Sequence, residues 1–171
     1  MFKKFYQIRN SMMTICVILT GCATVSQQKY IPAMSISQAV LATGVSVSAS
    51  ESAPVLMVIK GKTELPNGVI NTFLDGCHAI GIARGNISSE RIMINLSTVS
   101  CISNGVAFDK SVMGYVAGED AKVGVKSKIE LTQGDLLQQA ASNKSNQKSQ
   151  PVLSIEPNRK VSIIFESGFW K

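Results

Sequence analysis

The sequence is poor in the residues on which most enzymes and metal sites depend. Only one of its 171 residues, His78, is a histidine, and aromatic residues make up only 6% of the chain. The motifs HExxH, GxSxG and CxxC and the phosphate-binding loop do not occur in it. The adjacent carboxylates Glu119 and Asp120 are flanked by glycine and resemble solvated turn residues. We therefore predict a protein that is not an enzyme and holds no metal or cofactor, with His78 on a strand surface.

The chain also lacks an apolar run long enough to cross a membrane as a helix. The apolar run at residues 12–19 falls short of the roughly 20 residues that a spanning helix needs. It follows a basic segment that contains no acidic residue. A basic segment followed by a short apolar core is the layout of a secretory signal peptide. We interpret residues 1–21 as such a signal.

A cysteine closes this segment in the tetrapeptide Leu19-Thr20-Gly21-Cys22. An aliphatic residue, two small residues and a cysteine resemble the bacterial lipobox, which predicts acylation of Cys22. The alternative is an ordinary cysteine after a signal peptide or a poor membrane anchor. Two or more acyl chains anchor a protein stably. Ala23 follows in place of the aspartate that retains lipoproteins at the inner membrane, so we expect the periplasmic face of the outer membrane.

No block of like charge occurs in the remaining chain. The net charge of +6 includes three basic residues of the signal, so residues 22–171 stay near +3. This charge is too small to indicate nucleic-acid binding. Residues 22–30 read as a polar tether, and residues 31–171 are about the length of one domain.

Two cysteines remain for an oxidising compartment, where disulfides persist. They bracket two alternating segments that read as a β-hairpin with its turn near Ser89. This register places Cys77 opposite Cys101 and Ile82 opposite Leu96. We predict a disulfide between the two cysteines; the alternative is a pair of free buried thiols.

The same register places Ile80 opposite Thr98 and predicts an apolar face on the even-numbered positions. A slip by one residue would turn every side chain of one strand to the other face. The predicted apolar face comprises Ile80, Ile82, Ile92, Ile94 and Leu96.

Short alternating segments separated by turn residues recur along the chain about every ten residues. This spacing is typical of an all-β sandwich or barrel. Residues 132–151, in contrast, read as a mobile polar insertion, in which residues 142–151 are of low complexity. The prediction is a small all-β barrel or sandwich with one disulfide and a polar insertion.

The segment DGCHAIGIARGNISSERIMINLSTVSC and the later GYVAGEDAKVGVKSKI resemble the C-terminal domain of the TraB/TrbI family of conjugation proteins. The resemblance covers most of residues 31–130 and 151–168. It implies a β-barrel that assembles into a ring in the outer-membrane core complex of a type IV secretion system. The implied partners are further copies of the chain, a TraK-like secretin-related protein and a small TraV-like lipoprotein.

The chain departs from this family pattern in its membrane segments. We expect no cytoplasmic tail, transmembrane helix or Pro-rich arm, and we expect residues 132–151 to stand in place of the family's hydrophobic helical hairpin. We therefore expect the acylated Cys22 to act as the anchor of a peripheral ring subunit. The alternatives are a monomeric periplasmic binding or inhibitor lipoprotein, or a degenerate family member.

Three aromatic residues near the end of the chain are candidates for partner contacts. Aromatic side chains frequently anchor protein interfaces. Closure of the barrel core is an equally good account of the same residues. They are Phe165, Phe169 and Trp170.

Overall fold

The computed structural model describes residues 30–103, 105–130 and 151–170. The predicted signal, Cys22 and nearly all of the predicted polar insertion lie outside these residues. Within the described part, no helix has the length and apolar character to cross a bilayer.

The described chain is all-β, as predicted, with two short 3₁₀ turns at Pro66–Gly68 and Ile87–Ser89. Residues rich in β-branched side chains form the strands, and turns carrying Gly, Asn or Ser separate them. The strands are β1 Tyr30–Ile31, β2 Ile36–Leu41, β3 Val45–Val47, β4 Ser52–Glu64, β5 Ile70–Asn71, β6 His78–Asn86, β7 Arg91–Ser103, β8 Val106–Ser111, β9 Gly114–Ala117, β10 Val125–Lys126, β11 Lys128–Glu130, β12 Val152–Ile155, β13 Lys160–Phe165 and β14 Phe169–Trp170.

Six of these strands close into a barrel. They follow the order β7-β6-β4-β2-β13-β9, and the pairing of Asn95 on β7 with Tyr115 on β9 completes the circle. The neighbouring strands of this circle are antiparallel. The short strands β5, β8 and β10 extend β4 or β7, while β11-β12-β3 and β1-β14 form two small separate sheets. Closure removes the exposed edges that an open sheet would leave.

The core fills the interior of the barrel. Alternate residues of β13 point inward, with Phe165 and Ile163 fully buried. The hydroxyls of Ser37 and Thr63 are also buried, and they form a hydrogen bond of 2.7 Å. No buried side-chain nitrogen or oxygen in the described residues lacks a partner, as a stable interior requires.

The hairpin formed by β6 and β7 confirms part of the predicted register. His78 pairs with Ser100, Ile80 pairs with Thr98, and Cys77 is linked to Cys101. A register shift then follows Ile80, so that Ile82 pairs with Asn95 instead of Leu96. The predicted pairing of Ile82 with Leu96 is therefore wrong, because a bulge adds one residue to β7.

The predicted apolar face is correct on β7 and wrong on β6. Ile92, Ile94 and Leu96 are buried, whereas Ile80 and Ile82 are 43% and 37% exposed. On β6 the small odd-numbered residues face the core instead, among them Ala79 and Ala83, each 0% exposed. The bulge explains the difference, since it lets even positions of β7 and odd positions of β6 share one interior.

Gly81 marks the tightest contact in this hairpin and carries a testable consequence. A Cβ atom there would lie 2.6 Å from Ile94 Cγ2 and 2.9 Å from the Asn95 carbonyl oxygen. We expect Gly81→Val to lower the free energy of unfolding by about 1–3 kcal/mol, the usual cost of overpacking. Urea titration followed by circular dichroism measures the effect.

The matched control is Ile82→Val on the outward face of the same strand, which we expect to stay within about 0.5 kcal/mol of the wild type. Equal stability of Gly81→Val and wild type would contradict this prediction, because it would show that the interior has space for the added side chain.

Candidate functional site

The predicted disulfide between Cys77 and Cys101 is present. Cys77 immediately precedes β6, and its Cα lies 4.6 Å from the Cα of Cys101 on β7. This separation is typical of a non-hydrogen-bonded pair of antiparallel neighbours, where side chains approach most closely. Both cysteines are 5% exposed. The bond therefore joins the hairpin at the end remote from its turn.

A cleft of about 550 Å³ lies beside this disulfide, and His78, Asp75 and Ser100 are among its lining residues. His78 is exposed on the strand surface. Asp75 Oδ1 accepts a hydrogen bond of 2.6 Å from the Gly61 backbone N–H. No hydrogen bond joins the side chains of Asp75, His78 and Ser100 to one another. Among the described residues, no three His, Cys, Asp or Glu side chains gather as metal ligands.

The barrel has two chemically different ends. At the first, which we call the Tyr30 end, strands β4, β7 and β13 finish and strands β2, β6 and β9 begin. Tyr30, the first described residue, lies at this end. At the second, which we call the Arg91 end, β4, β7 and β13 begin.

The Arg91 end is organised around a nearly buried guanidinium. Arg91 is 9% exposed, and its Nη1 and Nη2 donate to the two carboxylate oxygens of Asp120 at 2.9 and 2.5 Å. Its Nε donates to the Val123 carbonyl at 3.1 Å. A two-pronged arginine–carboxylate contact of this kind is among the stronger polar interactions. It fixes the loop after β9 against the start of β7.

Asp120 is an exposed turn residue, as expected, with a side chain that is 44% exposed, and it also forms the ion pair with Arg91. Glu119, its neighbour, contacts Arg159 Nε at 3.4 Å. The two carboxylates therefore contact different cations. Sequence reasoning missed Arg91 because Asp120 lies 29 positions away, and no local pattern signals a pair so distant.

The Asp120 contact predicts a particular pH dependence. Burial raises the pKa of Asp120, but the Lys122 backbone N–H and the Arg91 guanidinium outweigh burial, and the pKa lies below its ordinary value of 3.8. A carboxyl with a depressed pKa stabilises the fold above its unfolded pKa and loses that contribution as the pH falls through the folded pKa. We expect Asp120→Asn to lower the Tm at neutral pH, and the difference from wild type to shrink below pH 3.8.

Thermal melts between neutral pH and pH 2 test this expectation, with Glu156→Gln as the control. Glu156 pairs with Lys128 at 2.7 Å, but the two side chains are 70% and 74% exposed. Exposed pairs contribute little because water and salt screen them, so the control should change the Tm only slightly. A difference between Asp120→Asn and wild type that stays constant down to the lowest pH would contradict the ion-pair account.

The three C-terminal aromatic residues occupy two environments at the Tyr30 end. Phe165 and Phe169 are 0% and 7% exposed, with ring centroids 5.2 Å apart. Trp170 is 66% exposed and lies 4.7 Å from the ring of Tyr30. Of the three predicted contact residues, only Trp170 therefore offers a large free surface to a partner in this structure, and its partner contact stays a prediction.

Residues 24–143 match the family described as "Bacterial conjugation TrbI-like protein". "Protein TraB" of Escherichia coli (strain K12) is 31% identical over 114 residues, which cover 63% of this chain and 23% of TraB. The chain thus matches less than a quarter of the length of that relative.

The fold is similar to a solved structure described as "Structure of ComB10 of the Com Type IV secretion system of Helicobacter pylori". The TM-score is 0.51 at 14% identity, and the match covers 84% of this chain and 91% of ComB10. This likeness concerns the fold.

Proposed function

The chain belongs to the TrbI-like family of bacterial conjugation proteins, and from this premise we propose that it is a structural subunit of a type IV secretion apparatus. In this proposal it forms part of a ring in the outer-membrane core complex, through contacts with further copies and with TraK-like and TraV-like proteins. The observation that carries the proposal is the family match over residues 24–143.

We further propose that residues 1–21 are removed as a signal, that Cys22 is acylated, and that residues 22–30 tether the barrel to the periplasmic face of the outer membrane. The lipobox-like tetrapeptide and the predicted signal support this anchor. The domain from residue 31 onward would then be held at the membrane without a spanning helix.

The wall of the barrel offers a surface for a neighbouring copy. Ile80 and Ile82 face outward. They pair with Leu56 and Pro54 on the neighbouring strand β4. Apolar side chains clustered on a polar surface mark interaction sites more often than scattered ones do. A ring needs two different complementary patches on each subunit, and we propose that this wall patch is one of them.

A transfer assay tests the function. In a strain that carries the complete apparatus but lacks this gene, substrate transfer should fall and the wild-type gene should restore it. Cys22→Ser should restore transfer poorly and should take up no radiolabelled palmitate, because it removes the acylated thiol. Ile80→Glu combined with Ile82→Glu should keep palmitate uptake and the native Tm but lose transfer. Unchanged transfer in the deletion strain would contradict the proposal.

A further inference from the structure

Exposed apolar side chains gather at the Tyr30 end of the barrel. Within the described residues twelve large apolar side chains are exposed, and eight of them lie at this end. Four lie near the starts of β2 and β9 or in β14: Met34 and Met113 are 62% and 63% exposed, Ile36 is 39% exposed and Trp170 is 66% exposed. Backbone bonds from Met34 to Phe165 and from Glu166 to Met113 hold these segments side by side.

The other four extend the same apolar end around the barrel. Val69 and Ile70 follow β4 and are 53% and 50% exposed, and Ile70 pairs with Glu64, which pairs with Ile36. Ile102 and Val106 flank the turn between β7 and β8 and are 79% and 68% exposed. Three of the eight residues, Met34, Val69 and Met113, lie in connections between strands, where polar residues are more usual.

The Arg91 end has the opposite character. All three ion pairs of the described residues lie there: Arg91 with Asp120, Arg159 with Glu119, and Lys128 with Glu156. The barrel is therefore polarised along its axis, with paired charges at one end and exposed apolar side chains at the other.

The chain reaches the apolar end directly from the predicted anchor. Only eight peptide units separate Cys22 from Tyr30, and at full extension they reach about 26–29 Å. Tyr30 packs against Trp170 with ring centroids 4.7 Å apart. Amphipathic rings such as these are enriched at the boundary between lipid and water, where one side is apolar and the other wet.

We propose that the Tyr30 end rests on the lipid leaflet that holds the acyl chains of Cys22, with Trp170, Met34 and Met113 in the interfacial layer. The proposal rests on the acylation proposed above. It adds a second membrane contact made by the folded barrel itself, and it fixes the orientation: the Arg91 end points away from that leaflet. The Tyr30 end carries charges of both signs, Glu64, Glu166 and Lys110 among them, so apolar burial and not attraction to anionic lipid holds it.

Trp170 is the only tryptophan in the chain and serves as the probe. The acylated full-length protein is purified from membranes and reconstituted into phosphatidylethanolamine–phosphatidylglycerol vesicles with or without brominated acyl chains. We expect brominated lipid to quench the emission of Trp170 severalfold, with little change when salt is added. The matched control carries Trp170→Phe and Ile129→Trp, which moves the probe to an exposed position at the Arg91 end, and its emission should stay unquenched.

Quenching confined to Trp170 supports the proposal. Equal quenching of both probes, or of neither, overturns the orientation while leaving palmitate uptake and transfer unchanged. A blue-shifted Trp170 that brominated lipid does not quench shows that a protein covers this end, and this result also overturns the proposal. Failure of the wild-type chain to take up palmitate would instead contradict the proposed acylation of Cys22. The proposed membrane contact of the Tyr30 end, which depends on that acylation, would then fail as well.

Discussion

Loss of the disulfide between Cys77 and Cys101 is expected to lower the free energy of unfolding by about 3 kcal/mol. The two cysteines are 24 positions apart, and closing a loop of that length restricts the unfolded chain by roughly this amount in the chain-entropy model. For a domain of this size the Tm should fall by about 6–12 °C.

Thermal melts of the wild type and of Cys77→Ala combined with Cys101→Ala, each with and without a thiol reductant, measure the effect. The wild type with reductant and the variant without reductant should melt at similar temperatures. The variant is its own control, because a reductant should leave its Tm unchanged. A wild type that melts at the same temperature in both conditions would show that the disulfide adds no stability.

Truncation of Phe165 is expected to cost about 3–5 kcal/mol, the range for large aromatic side chains deleted from a core. Phe165 is fully buried and contacts Phe169 edge to face. Its backbone N–H also bonds to the Ser35 carbonyl at 3.0 Å, next to β2. The side chain therefore closes the interior where β13 meets the start of β2.

Trp170→Ala is the matched control for Phe165→Ala, since it removes a larger ring from the same end of the barrel. With 66% of its surface exposed, Trp170 should contribute less than about 1 kcal/mol. Urea titrations of both variants separate the two roles. A small effect of Phe165→Ala would contradict its assignment to the core, and a large effect of Trp170→Ala would assign Trp170 to the core instead of to a contact surface.

Short-range sequence patterns predicted the strands and half of the hairpin. Alternation and the cysteine pair placed Ile80 opposite Thr98 correctly. The pattern failed at Ile82, because period-two alternation contains no sign of an extra residue in the partner strand. The small residues Ala79, Gly81 and Ala83 were the available signal: a β6 face made of small side chains fits a narrow interior better than a face of isoleucines.

Contacts between distant segments could not be predicted from the sequence. Closure of the barrel depends on the pairing of Asn95 with Tyr115, and the ion pair of Arg91 with Asp120 joins the start of β7 to the loop after β9. Neither contact is signalled by the periodicity or the composition of the sequence around these residues. The group of exposed apolar side chains at the Tyr30 end could not be predicted either, because its members come from segments that are far apart in the sequence.

The central claim is that this barrel works as a subunit of a membrane-bound secretion assembly. The most direct measurement is to tag the chain, solubilise native membranes of cells that express the whole apparatus, and determine the size and composition of the purified particle by imaging and mass spectrometry. The account predicts a large detergent-stable particle that contains several copies of the chain together with TraK-like and TraV-like proteins. Recovery of the chain only as a free monomer from those cells would contradict it.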